Sequence, residues 1–150
     1  MYSNDQPYGS APEFDRPIFE QVSQSIAEHG VQLIAVYESA DDEYKPFIYT
    51  IGLSERGGEE VIAFADSEHE LHAIAELLCR IARRDRPLDP DEPLRYRGGT
   101  LTLAEPDDDF DAFLQEHCLI EARSYYRCNR IEVLVALPEA DRSVTHRRLH

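Results

Sequence analysis

The sequence feature that most constrains the fold is a short apolar run near the end of the chain. Residues 131–137 read IEVLVAL, a segment dominated by aliphatic and β-branched side chains. Pro138 follows directly and ends the run, because proline cannot donate a hydrogen bond to a sheet ladder. A run this apolar is typical of a strand with neighbours on both sides. We therefore expect residues 131–137 to form a central strand.

Helix signals occur at three places in the chain. Asp15 can cap a first helix, and Ser67 followed by Glu70 forms a capping box that predicts a second. The acidic segment EPDDD at residues 105–109 can cap a third helix, which then turns Phe110 inward. Each of these starts is followed by apolar residues at helical spacing. Three helices are therefore expected.

Further strand-like segments are rich in β-branched and aromatic residues and are bounded by turn residues. They lie at residues 31–37, 47–53, 60–65, 94–97 and 100–104. Strands and helices do not alternate strictly along the chain. This order predicts an α+β fold with a mixed, mostly antiparallel sheet and about three helices, which we expect on one face.

The chain has 150 residues, which suits one domain with its own core. We expect a flexible arm at residues 1–14, a single α+β domain at 15–141 and a polar, basic tail at 142–150. Residues 1–15 lack the basic start and apolar segment of a signal peptide. Cys79, Cys118 and Cys128 form no C-x-x-C pair and have no evident His partner. These features favour a cytoplasmic protein, and Cys79 and Cys118, which lie beside apolar helix residues, are expected to serve packing.

Charge narrows the possible partners of the chain. Thirty acidic residues against 15 basic ones give a formal net charge of −15. Such a field repels nucleic acids and anionic membranes and favours a protein with a basic surface. The alternative is that the charge serves solubility alone. The candidate acidic surface comprises Asp41, Asp42, Glu43, Asp107, Asp108, Asp109 and Asp111.

Motifs for known chemistry are missing from the sequence. There is no G-x-G-x-x-G, no G-x-x-x-x-G-K-[ST] and no G-x-S-x-G, so no cofactor or catalytic residue is assigned. His69, His72 and Glu76 share one helix face and are a candidate metal site, against the alternative of a solvated polar face. His29 and His117 fall on the apolar sides of their helices, where a half-buried histidine can act as a base or serve packing.

Several segments together resemble a known family. They are the His29-Gly30 helix end, FIYTIGL at residues 47–53, EVIAF at 60–64 and ARSYY at 122–126. Their order is similar to that of the bacterial domain-of-unknown-function family 4262, and the similarity covers residues 17–141. The family commonly has tryptophans where this chain has none. The resemblance implies one intact domain and no established activity.

The resemblance also points to a candidate pocket around the Y-T-x-G-L segment. Tyr49 and Thr50 are neighbours on a strand and should face opposite sides, one buried and one exposed. Gly52 permits close backbone approach or a bulge. With Tyr126, His29 and His117 these residues form the candidate pocket, although strand packing alone also explains them.

Three functions compete on these observations. The first is an acidic, cytoplasmic protein-binding domain, such as an immunity-type inhibitor of a toxin or basic enzyme. The second is a small-molecule-binding protein or enzyme with an undescribed pocket. The third is a metal-binding protein.

Overall fold

The computed structural model describes residues 16–37, 45–84, 88–89 and 92–138. These residues contain four α-helices, together with a 3-10 helix at Leu53–Arg56 and a π-helix at Leu114–Cys118. The α-helices are α1 Arg16–His29, α2 Glu68–Ala82, α3 Asp108–Phe113 and α4 Ile120–Tyr126. The strands are β1 Gln32–Val36, β2 Phe47–Ile51, β3 Glu60–Phe64, β4 Leu94–Tyr96, β5 Gly99–Ala104 and β6 Val133–Pro138. The predicted α+β class is confirmed; residues 1–14 and 142–150 lie outside the described part.

The six strands form one mixed sheet in the order β1-β2-β3-β6-β5-β4. β3 and β6 are parallel and every other neighbouring pair is antiparallel. β6 lies between β3 and β5, which confirms the central position predicted for residues 131–137. In this arrangement the starts of β3 and β6 and the end of β5 meet at one edge of the sheet.

Helices cover both faces of the sheet, so the expectation of one covered face is wrong. Residues of α2 pack on one face, and residues of α1, α3, the π-helix and α4 pack on the other. Alternate residues along β3 and β6 point into the two cores: Val61 and Leu134 toward α2, Ile62 and Val135 toward the opposite helices. All five residues of β3 are buried as a result. Apolar strands without alternation are the product of this double cover.

The predicted caps account for where α2 and α3 begin. The Ser67 hydroxyl accepts a hydrogen bond from the Glu70 amide at 3.1 Å, and the Glu70 carboxylate accepts one from the Asp66 amide at 3.0 Å. The Asp107 carboxylate accepts a bond from the Phe110 amide at 2.8 Å. These side chains satisfy amides that have no partner within their helices. Within the described residues, no helix combines the length and apolar character needed to span a bilayer.

We predict that the two cores unfold together, because they share one sheet. Leu78→Ala and Leu114→Ala remove side chains that are 1% and 0% exposed, one from each core. Each substitution should lower the free energy of unfolding by about 2–5 kcal/mol and leave a single urea transition by circular dichroism. Ile120→Ala, at a site that is 41% exposed, is the control and should cost far less. Two separate transitions in either variant would contradict a shared unfolding unit.

Candidate functional site

A fully buried carboxylate lies at the start of β3. Glu60 is 0% exposed and accepts five hydrogen bonds. The donors are the Thr50 hydroxyl at 2.8 Å, the Gly52 amide at 3.2 Å, the Leu53 amide at 3.2 Å, the Ser54 amide at 3.0 Å and the Tyr126 hydroxyl at 2.7 Å. Burying a charge without such partners would cost several kcal/mol. We call Glu60 and these five residues the Glu60 cluster.

The backbone between β2 and the 3-10 helix is shaped to present its amides to Glu60. Gly52 has φ +128°, a conformation that residues with a side chain rarely adopt. A Cβ atom at this position would also lie 3.0 Å from the Gly30 carbonyl oxygen and 3.1 Å from Ile26 Cγ1. Glycine is therefore required here twice over, by conformation and by space. Thr50 supports the same turn, because its hydroxyl also accepts a hydrogen bond from the Val61 amide at 3.0 Å.

Tyr126 brings α4 into the cluster. Its hydroxyl donates to the Glu60 carboxylate and accepts a bond from the Gly52 amide at 2.8 Å. Burial raises the pKa of Tyr126, and the charge of Glu60 raises it further. The hydroxyl therefore stays protonated and serves as a fixed link between α4 and the sheet.

A second tyrosine makes a parallel link from β2 to α4. Tyr49 is 0% exposed and its hydroxyl donates to Glu121 at 2.6 Å. Burial, and then the Glu121 charge, raise its pKa well above the usual value of 10.0. Thr50 is also 0% exposed, so the expectation that one of these two neighbours would be exposed is wrong. The reason is the helix cover on both faces of the sheet.

The predicted pocket residues therefore divide into two groups. Thr50, Gly52 and Tyr126 meet at Glu60, and Tyr49 lies beside Thr50 on β2. The His29 and His117 side chains are 67% and 55% exposed, so their expected place on apolar helix sides is wrong. His29 is the last residue of α1.

The helix that carries His117 has its buried stripe elsewhere. The stripe runs through Phe110, Leu114 and Cys118 and leaves His117 on the flank. There it lies against the half-buried ring of Phe113, with ring centroids 5.3 Å apart.

The candidate metal residues do not form a site. His69, His72 and Glu76 are all exposed, and Glu76 is ion-paired with Arg97 at 3.2 Å. Across the described residues, no group of three or more His, Cys, Asp or Glu side chains is arranged to hold a metal ion. The solvated-face interpretation fits this helix.

The two buried cysteines are poor candidates for nucleophilic chemistry. Burial is the main cause that raises the pKa of the Cys118 thiol to about 12 and that of Cys128 to about 11. Only the thiolate is an effective nucleophile. Both side chains therefore act as core residues, in agreement with the packing role expected for Cys118.

One described cavity lies between α2 and β4 and has a volume of about 380 Å³. Leu77, Ile81 and Leu94 form part of its lining, together with Arg80 and Arg84. The Arg80 guanidinium donates to the Arg95 carbonyl at 2.8 Å, and Arg84 is paired with Glu92. None of the predicted pocket residues lines this cavity.

The predicted acidic surface is reproduced only in part. Asp41, Asp42 and Glu43 lie outside the described residues. Asp107 caps α3, and Asp108 and Asp109 are exposed in its first turn. Asp111 is 7% exposed and is ion-paired with Arg130 at 3.1 Å, so its assignment to the surface is wrong. Its side chain also accepts a bond from the buried Gln115 amide at 3.1 Å, which draws it into the fold.

Three further carboxylates converge where β3, β6 and β5 meet. Glu59 precedes β3, Glu132 precedes β6 and Glu105 follows β5. Burial raises the pKa of Glu59, and the charges of Glu132 and Glu105 raise it further, whereas Arg130 lowers it. We call Glu59, Glu105 and Glu132, with Asp107, Asp108 and Asp109 that follow Glu105 along the chain, the acidic edge. No sequence pattern predicts this grouping of three glutamates, because only the strand order brings them together.

The comparisons with known proteins identify the family of the chain. The class defined by the fold is an α+β domain with a mixed six-stranded sheet. A family model described as Domain of unknown function (DUF4262) matches residues 25–142, and the chain belongs to this family. No curated protein and no solved structure matches the chain. The segments that predicted this membership supply Tyr49, Thr50, Gly52, Glu60 and Tyr126, the residues that link β2, β3 and α4.

We predict that Glu60→Gln destabilises the protein although it keeps the size of the side chain. The amide would turn an NH2 group toward donors, and each donor left without an acceptor costs about 1–3 kcal/mol. Urea unfolding measures the loss. Glu59→Gln changes the half-buried residue that directly precedes Glu60 and is the matched control. Its free energy of unfolding should fall only slightly or rise. Equal stability of the two variants would show that the Glu60 carboxylate is not needed.

The raised pKa of Glu59 predicts a defined pH dependence. As pH rises past the ordinary carboxyl value of 4.5, the unfolded chain loses this proton while the folded chain keeps it. The folded state is therefore favoured at low pH, and this contribution is lost as pH rises through the folded-state pKa. In urea unfolding over a pH series, the free energy of unfolding of Glu59→Gln should rise relative to that of the wild type as pH rises. A relative gain in stability by the wild type as pH rises would contradict the raised pKa of Glu59.

Proposed function

We propose that this chain is a cytoplasmic, acidic protein-binding domain that recognises a partner with a basic surface, as an immunity-type inhibitor of a toxin or basic enzyme does. The observation that carries the proposal is the convergence of Glu59, Glu105 and Glu132 at one edge of the sheet. Net charge alone is compatible with mere solubility. Three carboxylates gathered on neighbouring strand ends, with Asp107, Asp108 and Asp109 after them, offer a defined surface to Lys and Arg side chains.

The electrostatics of the acidic edge support this assignment. Arg130 is ion-paired with Glu132 at 2.6 Å and with Asp111 at 3.1 Å. One guanidinium therefore serves two carboxylates, and the charge near Glu59 remains negative. Burial is the main cause of the raised pKa of Glu59, and the like charges of Glu132 and Glu105 add to it by repulsion. A partner that brings cations to this edge would relieve that repulsion on binding.

The backbone of the acidic edge is held firmly in place. The Glu60 amide donates to the Glu132 carbonyl at 3.0 Å, which fixes the starts of β3 and β6 relative to each other. The buried Gln115 side chain donates to the Ile131 carbonyl at 2.7 Å and accepts from the Ile131 amide at 2.9 Å. Surface charges on a prearranged backbone lose less conformational entropy when a partner binds.

We predict that a natural partner depends on these three glutamates. The tagged protein is used for capture from lysate of its own organism, with washes of low and then high salt. A variant with Glu59→Gln, Glu105→Gln and Glu132→Gln should fail to retain the partner, and the association rate of the purified pair should fall about tenfold or more.

A second triple variant controls for net charge. Glu28→Gln, Glu68→Gln and Glu76→Gln remove the same number of charges from exposed positions on α1 and α2. This control should retain the partner and release it at high salt, as the wild type does. The proposal would be contradicted if both triple variants captured equal amounts of the partner, or if the partner stayed bound through the high-salt wash.

A further inference from the structure

We propose that α1, the 3-10 helix and α4 together form a binding site for one arginine side chain of the partner. The site consists of Phe19, Ser23, Glu55, Tyr125 and Tyr126, which we call the tyrosine cradle. This inference rests on the proposed function, because it names the side chain through which a basic partner is recognised.

The aromatic side chains of the cradle come from two helices. Phe19 of α1 and Tyr125 of α4 stack with ring centroids 4.8 Å apart and an interplanar angle of 25°. Tyr125 and Tyr126 meet edge to face at 5.2 Å. The hydroxyls of Ser23 and Tyr125 are hydrogen-bonded at 3.1 Å. All four side chains are half-buried, so each still reaches the surface.

Negative charge surrounds these rings. The Glu55 carboxylate is exposed and lies close enough to both tyrosines that its charge, after burial, contributes to the raised pKa of each. Glu60 accepts the Tyr126 hydrogen bond from below. Within the described ranges, neither Glu55 nor Glu60 forms an ion pair with a Lys, Arg or His. Arg56, next to Glu55 along the chain, and Arg127, next to Tyr126, are both exposed, and in the described part of the chain no ion pair joins either of them to Glu55 or Glu60.

Aromatic faces beside carboxylates without a counter-cation are the chemistry that recognises a cation. Arginine fits the cradle better than lysine does. A planar guanidinium can lie against a tyrosine ring while its N–H groups donate to the Glu55 carboxylate and a tyrosine hydroxyl. A lysine ammonium is more strongly hydrated and presents no plane to stack. The site therefore selects a guanidinium at the end of a flexible side chain.

The cradle and the acidic edge are joined by a short, ordered turn. The Gly57 amide donates to the Ser54 carbonyl at 3.1 Å and the Gly58 amide to the Leu53 carbonyl at 3.2 Å. Glu55 and Glu59 thus lie at the two ends of one hydrogen-bonded segment. A single basic partner can place one arginine in the cradle and further cations along the edge.

The aromatic contacts alone have a simpler explanation, namely that they pack α1 against α4. Glu55 separates the two explanations, because an exposed carboxylate contributes little to that packing. Glu55→Gln should therefore leave stability nearly unchanged and weaken arginine binding. Tyr125→Phe is the second variant, since it keeps the ring and removes only the hydroxyl.

The test is titration of the full-length protein with N-acetyl-arginine methylamide, followed by ¹H–¹⁵N NMR. Shift changes should concentrate at residues 52–58 and 125–127. The neutral analogue N-acetyl-citrulline methylamide should bind at least about tenfold more weakly. Glu55→Gln should weaken arginine binding about threefold to tenfold, Tyr125→Phe less, and the control Glu28→Gln not at all. No saturable binding, equal binding of citrulline, or shifts spread over the acidic surface would overturn the cradle.

The same variants separate this proposal from the proposed function. If the probe does not bind but the triple variant of the acidic edge loses the partner, the cradle is overturned and the proposed function stands. If the probe binds at the cradle while capture ignores the acidic edge, the cradle stands as an arginine site and the proposed function fails.

Discussion

The structure depends on the hydrogen bonds that one buried carboxylate accepts. Glu60 lies at the start of a strand that is covered on both faces, where an uncompensated charge would prevent folding. Its five donors come from β2, the turn after β2 and α4. That requirement explains the left-handed conformation of Gly52, the place of Thr50 and the fixed hydroxyl of Tyr126. The cluster joins segments that are 10 and 66 residues apart in the chain.

The surface side chains at this end of the sheet take their positions from the same cluster. Glu59 directly precedes Glu60 in the chain. Glu55 follows the turn residues whose amides donate hydrogen bonds to the Glu60 carboxylate. The position of Glu132 is fixed as well, because its carbonyl accepts a hydrogen bond from the Glu60 amide. A buried charge therefore organises a group of exposed ones. A domain that has to present acidic side chains in a fixed pattern gains from a scaffold that stays rigid beneath them.

Local patterns in the sequence predicted the fold class, the capped helix after Ser67 and the central position of β6, because caps and apolar runs act over a few neighbouring residues. From the sequence alone, helices are expected on one face of the sheet only. The apolar side chains without alternation at residues 60–65 and 131–137 are nevertheless the signal of a sheet covered by helices on both faces. The exposure of His29 and His117 was missed for a different reason. A helical pattern shows which residues share a side, but not how wide the buried stripe is.

The candidate site shows the same limit more sharply. The Y-T-x-G-L segment predicts Thr50 and Gly52 as site residues, but no sequence pattern points to Glu60, because a glutamate at the start of a strand normally faces solvent. Its burial follows from contacts with β2, the turn after β2 and α4, which no pattern within a single strand or helix contains. The segments that resemble the family supply the hydrogen bonds that link β2, β3 and α4. These hydrogen bonds stabilise the fold and require no ligand. A match to those segments consequently reports the fold. If the chain recognises a basic partner as proposed, the side chains available for this are those around these segments, such as Glu55, Glu105 and Glu132, whose side chains make none of the hydrogen bonds of the Glu60 cluster.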